Sequence, residues 1–386
     1  MTEAQRKLYQ THYIEYRQQK CDFTVPRRYQ HLEYKSGGAQ GWVVCAIDTV
    51  LNRRVAIKKM RNPFVMEISA KRTYREFILL EAFKHPNIIE LLNAFSPQTS
   101  ASQLSEVYFV MELADFNLGH VIRDKRLPHP HLSFLVFQLL CAMKHLHKSG
   151  IIHRDLKPEN IVVNEDVTLK ILDFGLARRA AFDTQMRMTN YVVTRWYRAP
   201  EVILEMGYTD KVDVWSIGCI FAEVLTRKIL FPGTDHLDQW RSIVSKMGSP
   251  PQSFVDKMSR HVAMFVRNQP RKEAKSFREL IPDEYFPRET EDPRHSLTAD
   301  HARDLVEKML AIDPDERISV DQALRHPYVA GWLKQHDVNL PITTHRYDDN
   351  IETEERSIAQ WRVLIFNELE RYKETHDVYG TQGTAV

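Results

Sequence analysis

The stretch His153-Arg154-Asp155-Leu156-Lys157-Pro158-Glu159-Asn160, followed by Asp173-Phe174-Gly175, decides how this chain is interpreted. It places the carboxylates of Asp155 and Asp173, the amide of Asn160 and the ammonium of Lys157 close together in sequence. Carboxylate and amide oxygens are ligands that Mg²⁺ prefers, and a second carboxylate can take a proton from a hydroxyl. The two motifs in this order therefore indicate transfer of a phosphoryl group from a magnesium nucleotide to a hydroxyl.

Composition sets the broad class. The chain has 386 residues, more than one hydrophobic core usually serves, so two lobes are expected. A formal net charge of +2 gives no indication of nucleic-acid or membrane binding. The 4 cysteines stand far apart without CxxC spacing, which favours reduced thiols in the cytoplasm or nucleus. No apolar run approaches the ~18–20 residues that a membrane-spanning helix requires.

The spacing of apolar residues predicts a β-rich first part and a helical second part. Alternating, β-branched sequence over 29–60 predicts a strand–turn–strand–strand unit, and 106–113 predicts another strand. Helical spacing predicts helices over 69–84, 132–149, 212–226, 296–310 and 320–324.

The remaining segments are expected at the surface. Residues 1–28 are polar and predict a partly ordered arm. Residues 267–295 are dense in proline and charge and predict a surface insertion. Residues 348–355 predict an acidic linker. An amphipathic helix is predicted after it from the apolar side formed by Ile358, Trp361, Leu364, Ile365 and Leu369.

A candidate phosphate-binding turn, Ser36-Gly37-Gly38-Ala39-Gln40-Gly41-Trp42-Val43, stands between two predicted strands. Glycines let a hairpin backbone approach phosphates and offer them its N–H groups. Such a turn alone is more often only a turn, but here Val55-Ala56-Ile57-Lys58 follows it. A lysine on an apolar strand requires an anionic partner, and a phosphate or the carboxylate of Glu76 would serve. Lys59 is the alternative for this role.

These motifs, with Ala199-Pro200-Glu201 after them, resemble those of the eukaryotic protein kinases in the same order. The resemblance implies an α+β, bilobal protein kinase fold, with a small, mostly-β N-lobe carrying one main helix and a large, mostly-α C-lobe. The implied divisions are an arm at 1–28, an N-lobe at 29–114, a C-lobe at 115–332 with an insertion at about 240–290, and an extension at 333–386 with a helix at about 357–375.

The resemblance also implies a set of ATP-binding residues. They are Ser36, Gly37, Gly38, Gly41, Val43, Ala56, Lys58, Glu76, Met111, Glu112, Ala114, Asp115, Asn117, Val162 and Leu172. Met111 would lie at the back of the adenine pocket, and the backbone of Glu112 and Ala114 would bond the base. Asp115 and Asn117 would lie near the ribose. Ser36 departs from the family pattern, which has glycine at that position.

The implied catalytic residues are Asp155, Lys157 and Asn160. Asp155 would accept the proton of the substrate hydroxyl, and Lys157 would neutralise charge on the transferred phosphoryl group. Asn160 and Asp173 would bind Mg²⁺. By the same resemblance, Asp213 would brace the catalytic loop and Arg317 would pair with Glu201.

The segment Met188-Thr189-Asn190-Tyr191 lies between Asp173 and Glu201 and looks like the dual-phosphorylation lip of a mitogen-activated protein (MAP) kinase. Each phosphate on Thr189 or Tyr191 would add about −1.5 to −2 charge. The arginines that would receive them are Arg75, Arg154 and Arg178 for Thr189, and Arg195 and Arg198 for Tyr191. Double phosphorylation would order the segment and align Glu76 with Lys58.

Several stretches match the c-Jun N-terminal kinase branch of the family closely, among them Gly38-Ala39-Gln40-Gly41, Tyr74-Arg75-Glu76 and Lys228-Ile229-Leu230-Phe231-Pro232-Gly233. The resemblance covers about residues 23–375. That branch has proline where this chain has Asn190. We therefore interpret the chain as a divergent, stress-activated member whose recognition by an upstream kinase is in question.

The resemblance implies phosphorylation of Ser/Thr-Pro sites in proteins, such as transcription or RNA-regulatory factors, with ATP and Mg²⁺, in the cytoplasm and nucleus. Implied partners are an upstream dual-specificity MAP kinase kinase, and phosphatases and scaffolds at a docking groove. We expect no nucleic acid, no membrane and a monomer. One alternative is a kinase-shaped scaffold with little catalysis, favoured only by Ser36. Another is a constitutively active relative such as a cyclin-dependent kinase, which the pair Thr189 and Tyr191 disfavours.

Overall fold

The computed structural model describes residues 7–38, 41–124, 126–179, 195–286, 296–336, 338–341, 347 and 350–381. The chain divides into two compact units. The first comprises Met1–Lys84, Ile89–Leu113 and Thr344–Val386, and the second comprises His85–Ile88 and Ala114–Thr343. The C-terminal segment from Thr344 thus belongs with the first unit.

The first unit is built on an antiparallel sheet that matches the predicted strands. The strands are β3 (Tyr29–Gly37), β4 (Gly41–Asp48), β5 (Arg53–Met60), β6 (Leu91–Phe95) and β7 (Tyr108–Glu112), preceded by β1 (Tyr9–Tyr16) and β2 (Gln19–Pro26). The sheet order is β3-β4-β5-β7-β6. Strands β4 and β5 carry β-branched residues, which favour an extended backbone, and they are buried in succession at 44–46 and 55–58, whereas β3 alternates between half-buried and exposed residues.

The N-terminal arm is more ordered than the sequence predicted. Strands β1 and β2 pair in antiparallel register from Tyr9↔Pro26 to Tyr16↔Gln19. Phe23 and Val25 are fully buried, so the hairpin adds apolar surface to the core of the first unit. The polar composition of residues 1–28 concealed this, because the few buried apolar residues, such as Tyr9 and Ile14 of β1, stand among polar ones.

In the first unit, helix α1 (Glu67–Ala82) packs between the sheet and the C-terminal helix Ile358–Thr375. Phe77 of α1 stacks on Phe109 of the sheet with ring centroids 5.5 Å apart, and it meets Tyr372 of the C-terminal helix at 5.8 Å. Burial of such a large aromatic side chain contributes about 1.5–3 kcal/mol to the free energy of unfolding. Ser357 and Gln360 form a capping box that starts the C-terminal helix.

The second unit is mostly helical. Its longer helices are Leu118–Asp124, His129–Lys148, Lys211–Thr226, His236–Met247, Arg260–Arg267 and Ala299–Met309. Short helices are Pro200–Ile203, Gln252–Val255, Phe277–Leu280, Val320–Leu324 and Pro327–Ala330. The helices predicted at 132–149, 212–226, 296–310 and 320–324 are confirmed, and part of the segment predicted as a surface insertion is also helical.

Short strands in the second unit hold the predicted catalytic segments. The strands are Phe116–Asn117, Ile151–Ile152, Ile161–Val163, Leu169–Ile171 and Arg178–Arg179. The strand Ile161–Val163 pairs with Leu169–Ile171 on one side and with Phe116–Asn117 on the other. This pairing fixes the ends of the segments that begin at His153 and end at Asp173.

Candidate active site

The glycine-rich turn closes the hairpin between β3 and β4. Gly37 lies opposite Trp42, and the N–H of Gly38 donates to the carbonyl oxygen of Gly41 at 3.0 Å. A Cβ on Gly41 would lie 2.2 Å from the carbonyl oxygen of Lys59, so the backbone of β5 leaves room only for glycine there. Ser36 lies opposite Val43, while Ala39 and Gln40 lie outside the described residues.

The structure distinguishes Lys58 from its alternative, Lys59. The ammonium Nζ of Lys58 lies 2.5 Å from Oε1 of Glu76, and both side chains are buried. Lys59 points to the opposite face of β5, where it pairs with Glu106 and with Asp22. Strand alternation thus gives the two lysines different partners, and Lys58 is the one joined to α1.

The predicted adenine-side residues of the first unit share one face of the sheet. Val43 lies opposite Lys58, and Ala56 lies opposite Met111. Residues directly opposite on antiparallel strands lie on the same face, as do residues two apart along one strand. Glu112 ends β7 and is half-buried, and its carboxylate oxygen accepts from the N–H of Glu90.

In the second unit, a buried aspartate holds the start of the catalytic segment. Asp213 accepts from the backbone N–H of His153 at 2.9 Å and from that of Arg154 at 2.8 Å. His147, which sequence reasoning missed, lies 2.8 Å from the same carboxylate. Burial alone would raise the pKa of Asp213, but these partners hold it below its usual value. Arg154 has a φ of 70°, a left-handed conformation that this clamp stabilises.

Asp155, Lys157 and Asn160 form one connected group. Nζ of Lys157 lies 2.8 Å from Oδ2 of Asp155, and Nδ2 of Asn160 donates to the same oxygen at 2.9 Å. Asp155 is only 7% exposed. Burial raises the pKa of Asp155 and the carboxylate of Asp173 adds to the rise, whereas Lys157 lowers it. A carboxylate with a raised pKa is a better proton acceptor than an ordinary aspartate.

The predicted metal ligands fit magnesium by their chemistry. Nδ2 of Asn160 also donates to the backbone oxygen of Asp155 at 2.8 Å, so Oδ1 is the atom of this amide suited to a cation. The N–H of Leu172 donates to the backbone oxygen of Asn160 at 2.8 Å. Asp173 follows Leu172 directly, so this bond ties the segments of the two predicted ligands together. No group of three or more His, Cys, Asp or Glu within the described ranges could hold a metal ion. A pair of protein oxygens is common for Mg²⁺ that also binds substrate phosphates.

The other predicted nucleotide residues of the second unit lie on or beside its small sheet. Val162 pairs with Asn117, and both are half-buried, as are Ala114 and Leu172. Asp115 accepts from the backbone N–H of Glu165 at 3.0 Å. Nδ2 of Asn117 donates to the backbone oxygen of Glu159 at 2.8 Å, so this side chain helps to fix the catalytic segment.

Arg75 binds two residues of the C-terminal segment. Its guanidinium is buried and bonds Oε1 of Glu352 at 2.5 Å and the hydroxyl of Tyr347 at 3.0 Å, both from the C-terminal segment. The resemblance predicts that Arg75 binds the phosphate of Thr189. Thr189 and Tyr191 lie outside the described residues, so this role stays a prediction. Sequence reasoning missed Glu352 and Tyr347, and the acidic character of residues 348–355 was the only signal for them.

The remaining predicted phosphate-binding arginines all belong to the second unit. Arg154 and Arg198 line a small cavity, and Nη2 of Arg198 is buried without a hydrogen-bond acceptor among the described residues. Burial lowers the pKa of Arg198, and the neighbouring Arg195 and Arg154 add to the effect, while Asp155 opposes it. Arg178 pairs by its backbone with Ile152. Such a crowded cluster of cationic side chains favours the binding of an anion.

A buried ion pair supports the chain beyond this cluster. Arg317 meets Glu201 through two bonds of 2.7 and 2.9 Å, as predicted, and both side chains are fully buried. The guanidinium also lies over the ring of Trp215. The pair fixes the segment that follows Arg198.

Comparison with known proteins agrees with this geometry. The family model of the protein kinase domain matches residues 33–329, so the chain belongs to the protein kinase family. It is 56% identical over 357 residues to GLH-binding kinase 1 of Caenorhabditis elegans, covering 92% of each chain. It is 50% identical over 360 residues to the stress-activated protein kinase jnk-1 of the same organism, covering 93% of this chain and 76% of that one. It is 49% identical over 352 residues to the stress-activated protein kinase JNK of Drosophila melanogaster, covering 91% of this chain and 93% of that one.

Within the family, the relatives named as stress-activated kinases define the branch of this chain. It is a JNK-type, ATP-dependent serine/threonine protein kinase, as the motifs predicted. In the part of the chain that the structure describes, no helix is long and apolar enough to cross a membrane.

Proposed function

We propose that this kinase transfers the γ-phosphoryl group of ATP to Ser/Thr-Pro sites of proteins in a stress-activated MAP kinase cascade, and that phosphorylation of Thr189 and Tyr191 switches it on. The observation that carries the proposal is the buried group of Asp155, Lys157 and Asn160. It combines a proton acceptor, a cation and an oriented amide, which phosphoryl transfer to a hydroxyl requires.

The residues have separate tasks in this proposal. Asp155 accepts the proton of the substrate hydroxyl as its oxygen bonds the γ-phosphorus and the bond from that phosphorus to the departing ADP breaks. Its raised pKa suits Asp155 to that task. Lys157 stabilises negative charge on the transferred group. Asn160 and Asp173 would hold Mg²⁺, which when bound offsets the charge of the ATP phosphates. Lys58, fixed by Glu76, would bind phosphate oxygens.

The arginine cluster supports the proposed switch. Arg154, Arg195 and Arg198 repel one another, so an added phosphate on Tyr191 or Thr189 would relieve the repulsion and bring charge-assisted hydrogen bonds. An upstream dual-specificity kinase would add these phosphates. We propose that the enzyme acts in the cytoplasm and nucleus on transcription or RNA-regulatory factors, with phosphatases and scaffolds at a docking groove. Because one relative is named GLH-binding kinase 1, binding of GLH is the first interaction to test.

The test compares a Ser-Pro peptide with the matched Ser-Ala peptide, before and after treatment with a dual-specificity MAP kinase kinase. We expect transfer of labelled phosphate to the Ser-Pro peptide only after treatment. Thr189→Ala and Tyr191→Phe should each remain poorly active. Equal rates on both peptides would refute the proline preference, and undiminished rates in both variants would refute the switch.

A further inference from the structure

The outer face of the glycine-rich hairpin carries a continuous run of aromatic rings. Tyr16 of β1 stacks on Tyr34 of β3 with ring centroids 3.9 Å apart and planes 12° apart. Tyr34 in turn meets Trp42 of β4 at 5.4 Å, edge to face. The guanidinium of Arg17 lies over the other end of the run, 5.3 Å from the ring centre of Tyr16. We name Tyr16, Tyr34 and Trp42 the aromatic clasp.

The clasp joins the base of the phosphate-binding turn to a well-anchored element. Trp42 is paired with Gly37 and adjoins Gly41, and Tyr34 lies two residues before Ser36, where the turn begins. Tyr34 also covers Gly37, where a Cβ would lie 3.2 Å from the Tyr34 hydroxyl. The absence of a side chain at Gly37 therefore makes room for the clasp.

The well-anchored element is the hairpin of β1 and β2. The backbone N–H of Thr24 donates to the hydroxyl of Tyr108 at 3.2 Å, and the ring of Phe23 packs against the same tyrosine. At the far end, the hydroxyl of Tyr9 donates to the backbone oxygen of Ser96 at 2.9 Å. The hairpin is thus fixed to β6 and β7, and Tyr16 extends from it towards the glycine-rich strands.

We propose that the aromatic clasp positions the backbone of Gly37, Gly38 and Gly41 for the phosphates of ATP. The inference rests on the proposed use of ATP by this chain. A glycine-rich turn loses much conformational freedom on binding, so restraint in the free protein raises affinity. Tyr16, Tyr34 and Trp42 are positioning residues, since Tyr34 and Trp42 lie on the face of the sheet opposite to Lys58 and Ala56, and Tyr16 stacks on Tyr34.

The experiment measures the equilibrium dissociation constant of Mg-ATP for the full chain, by calorimetry, alongside steady-state kinetics. An aromatic pair of this kind is worth a factor of about two to ten in an equilibrium constant. We expect Tyr16→Ala and Tyr34→Ala to weaken ATP binding, and to raise the KM for ATP, by that factor. The KM for peptide should stay unchanged, and kcat at saturating ATP should change less than the KM for ATP.

Two variants serve as controls. Tyr16→Phe keeps the stacked ring and should bind ATP like the wild type. Tyr13→Ala removes a ring from the same strand that is 85% exposed, and it should also leave binding unchanged. Wild-type affinity in Tyr16→Ala and Tyr34→Ala overturns the inference, as does an equal loss in Tyr13→Ala. A wild-type protein that binds ATP without transferring phosphate refutes the proposed function alone, because the binding comparison still tests the clasp.

Discussion

The buried pair of Arg75 and Glu352 makes a quantitative test of how the C-terminal segment supports α1. Oε1 of Glu352 lies 2.5 Å from Nη2 and 3.1 Å from Nε of Arg75. Lys71 lies 3.2 Å from Oε2 of the same carboxylate. The side chains of Arg75 and Glu352 are 4% and 1% exposed, so water screens this pair little.

Glu352→Gln would remove the negative charge that faces the buried guanidinium of Arg75. Removal of one member of a buried ion pair lowers the free energy of unfolding by about 3–5 kcal/mol. Because glutamine can keep one hydrogen bond to Arg75, we expect a loss of about 3 kcal/mol. In a double-mutant cycle with Arg75→Met, we expect a coupling free energy of about 2 kcal/mol. Because Glu76 follows Arg75 on α1 and bonds Lys58, the rate of phosphate transfer should fall as well.

Urea unfolding of the wild type, both single variants and the double variant gives the four free energies of unfolding. Glu354→Gln is the matched control, since the carboxylate of Glu354 is 54% exposed and its pair with Arg356 should be worth about 0.5 kcal/mol or less. A coupling free energy below about 0.5 kcal/mol, the most expected of an exposed pair, would refute the reasoning. The Arg75 contact would then contribute nothing to holding α1.

Three further predictions follow from the site. Lys58→Met should abolish phosphate transfer, whereas Lys59→Met should retain most of it, because Lys59 pairs with Glu106 and Asp22 on the other face of the sheet; equal losses would contradict the assignment. Lys157→Met should move the acid limb of the kcat–pH profile to higher pH, because Lys157 lowers the pKa of Asp155 and a protonated Asp155 cannot accept a proton; an unmoved limb would mean that Asp155 is not the titrating base. Asp213→Ala should lower the free energy of unfolding by about 3 kcal/mol, since two backbone N–H groups lose a charged acceptor; thermal unfolding like that of the wild type would count against the clamp.

The chemistry-bearing residues could be predicted because they lie close together in sequence. Asp155, Lys157 and Asn160 stand within one short motif, and the structure joins them through the same carboxylate oxygen. The sequence favoured Lys58 but kept Lys59 as the alternative, because strand alternation places the two on opposite faces without showing which face meets α1. The main helices follow equally local patterns of apolar spacing.

Long-range partners could not be predicted in this way. Glu352 stands 277 positions from Arg75, and nothing in the local sequence of either residue selects the other. The hairpin of β1 and β2 was missed for a related reason, because its stability depends on the contact of Phe23 with Tyr108. Such contacts follow from tertiary packing, which overrides the polar composition of the arm.

The central claim is that Asp155 is the proton acceptor of a functioning protein kinase. The most direct measurement compares wild type and Asp155→Asn, first for Mg-ATP binding by calorimetry and then for labelled phosphate transfer to a Ser-Pro peptide. We predict nearly equal ATP affinity and a rate of transfer lower by about 10²–10⁴-fold. Transfer by Asp155→Asn at a rate near that of the wild type would contradict the account.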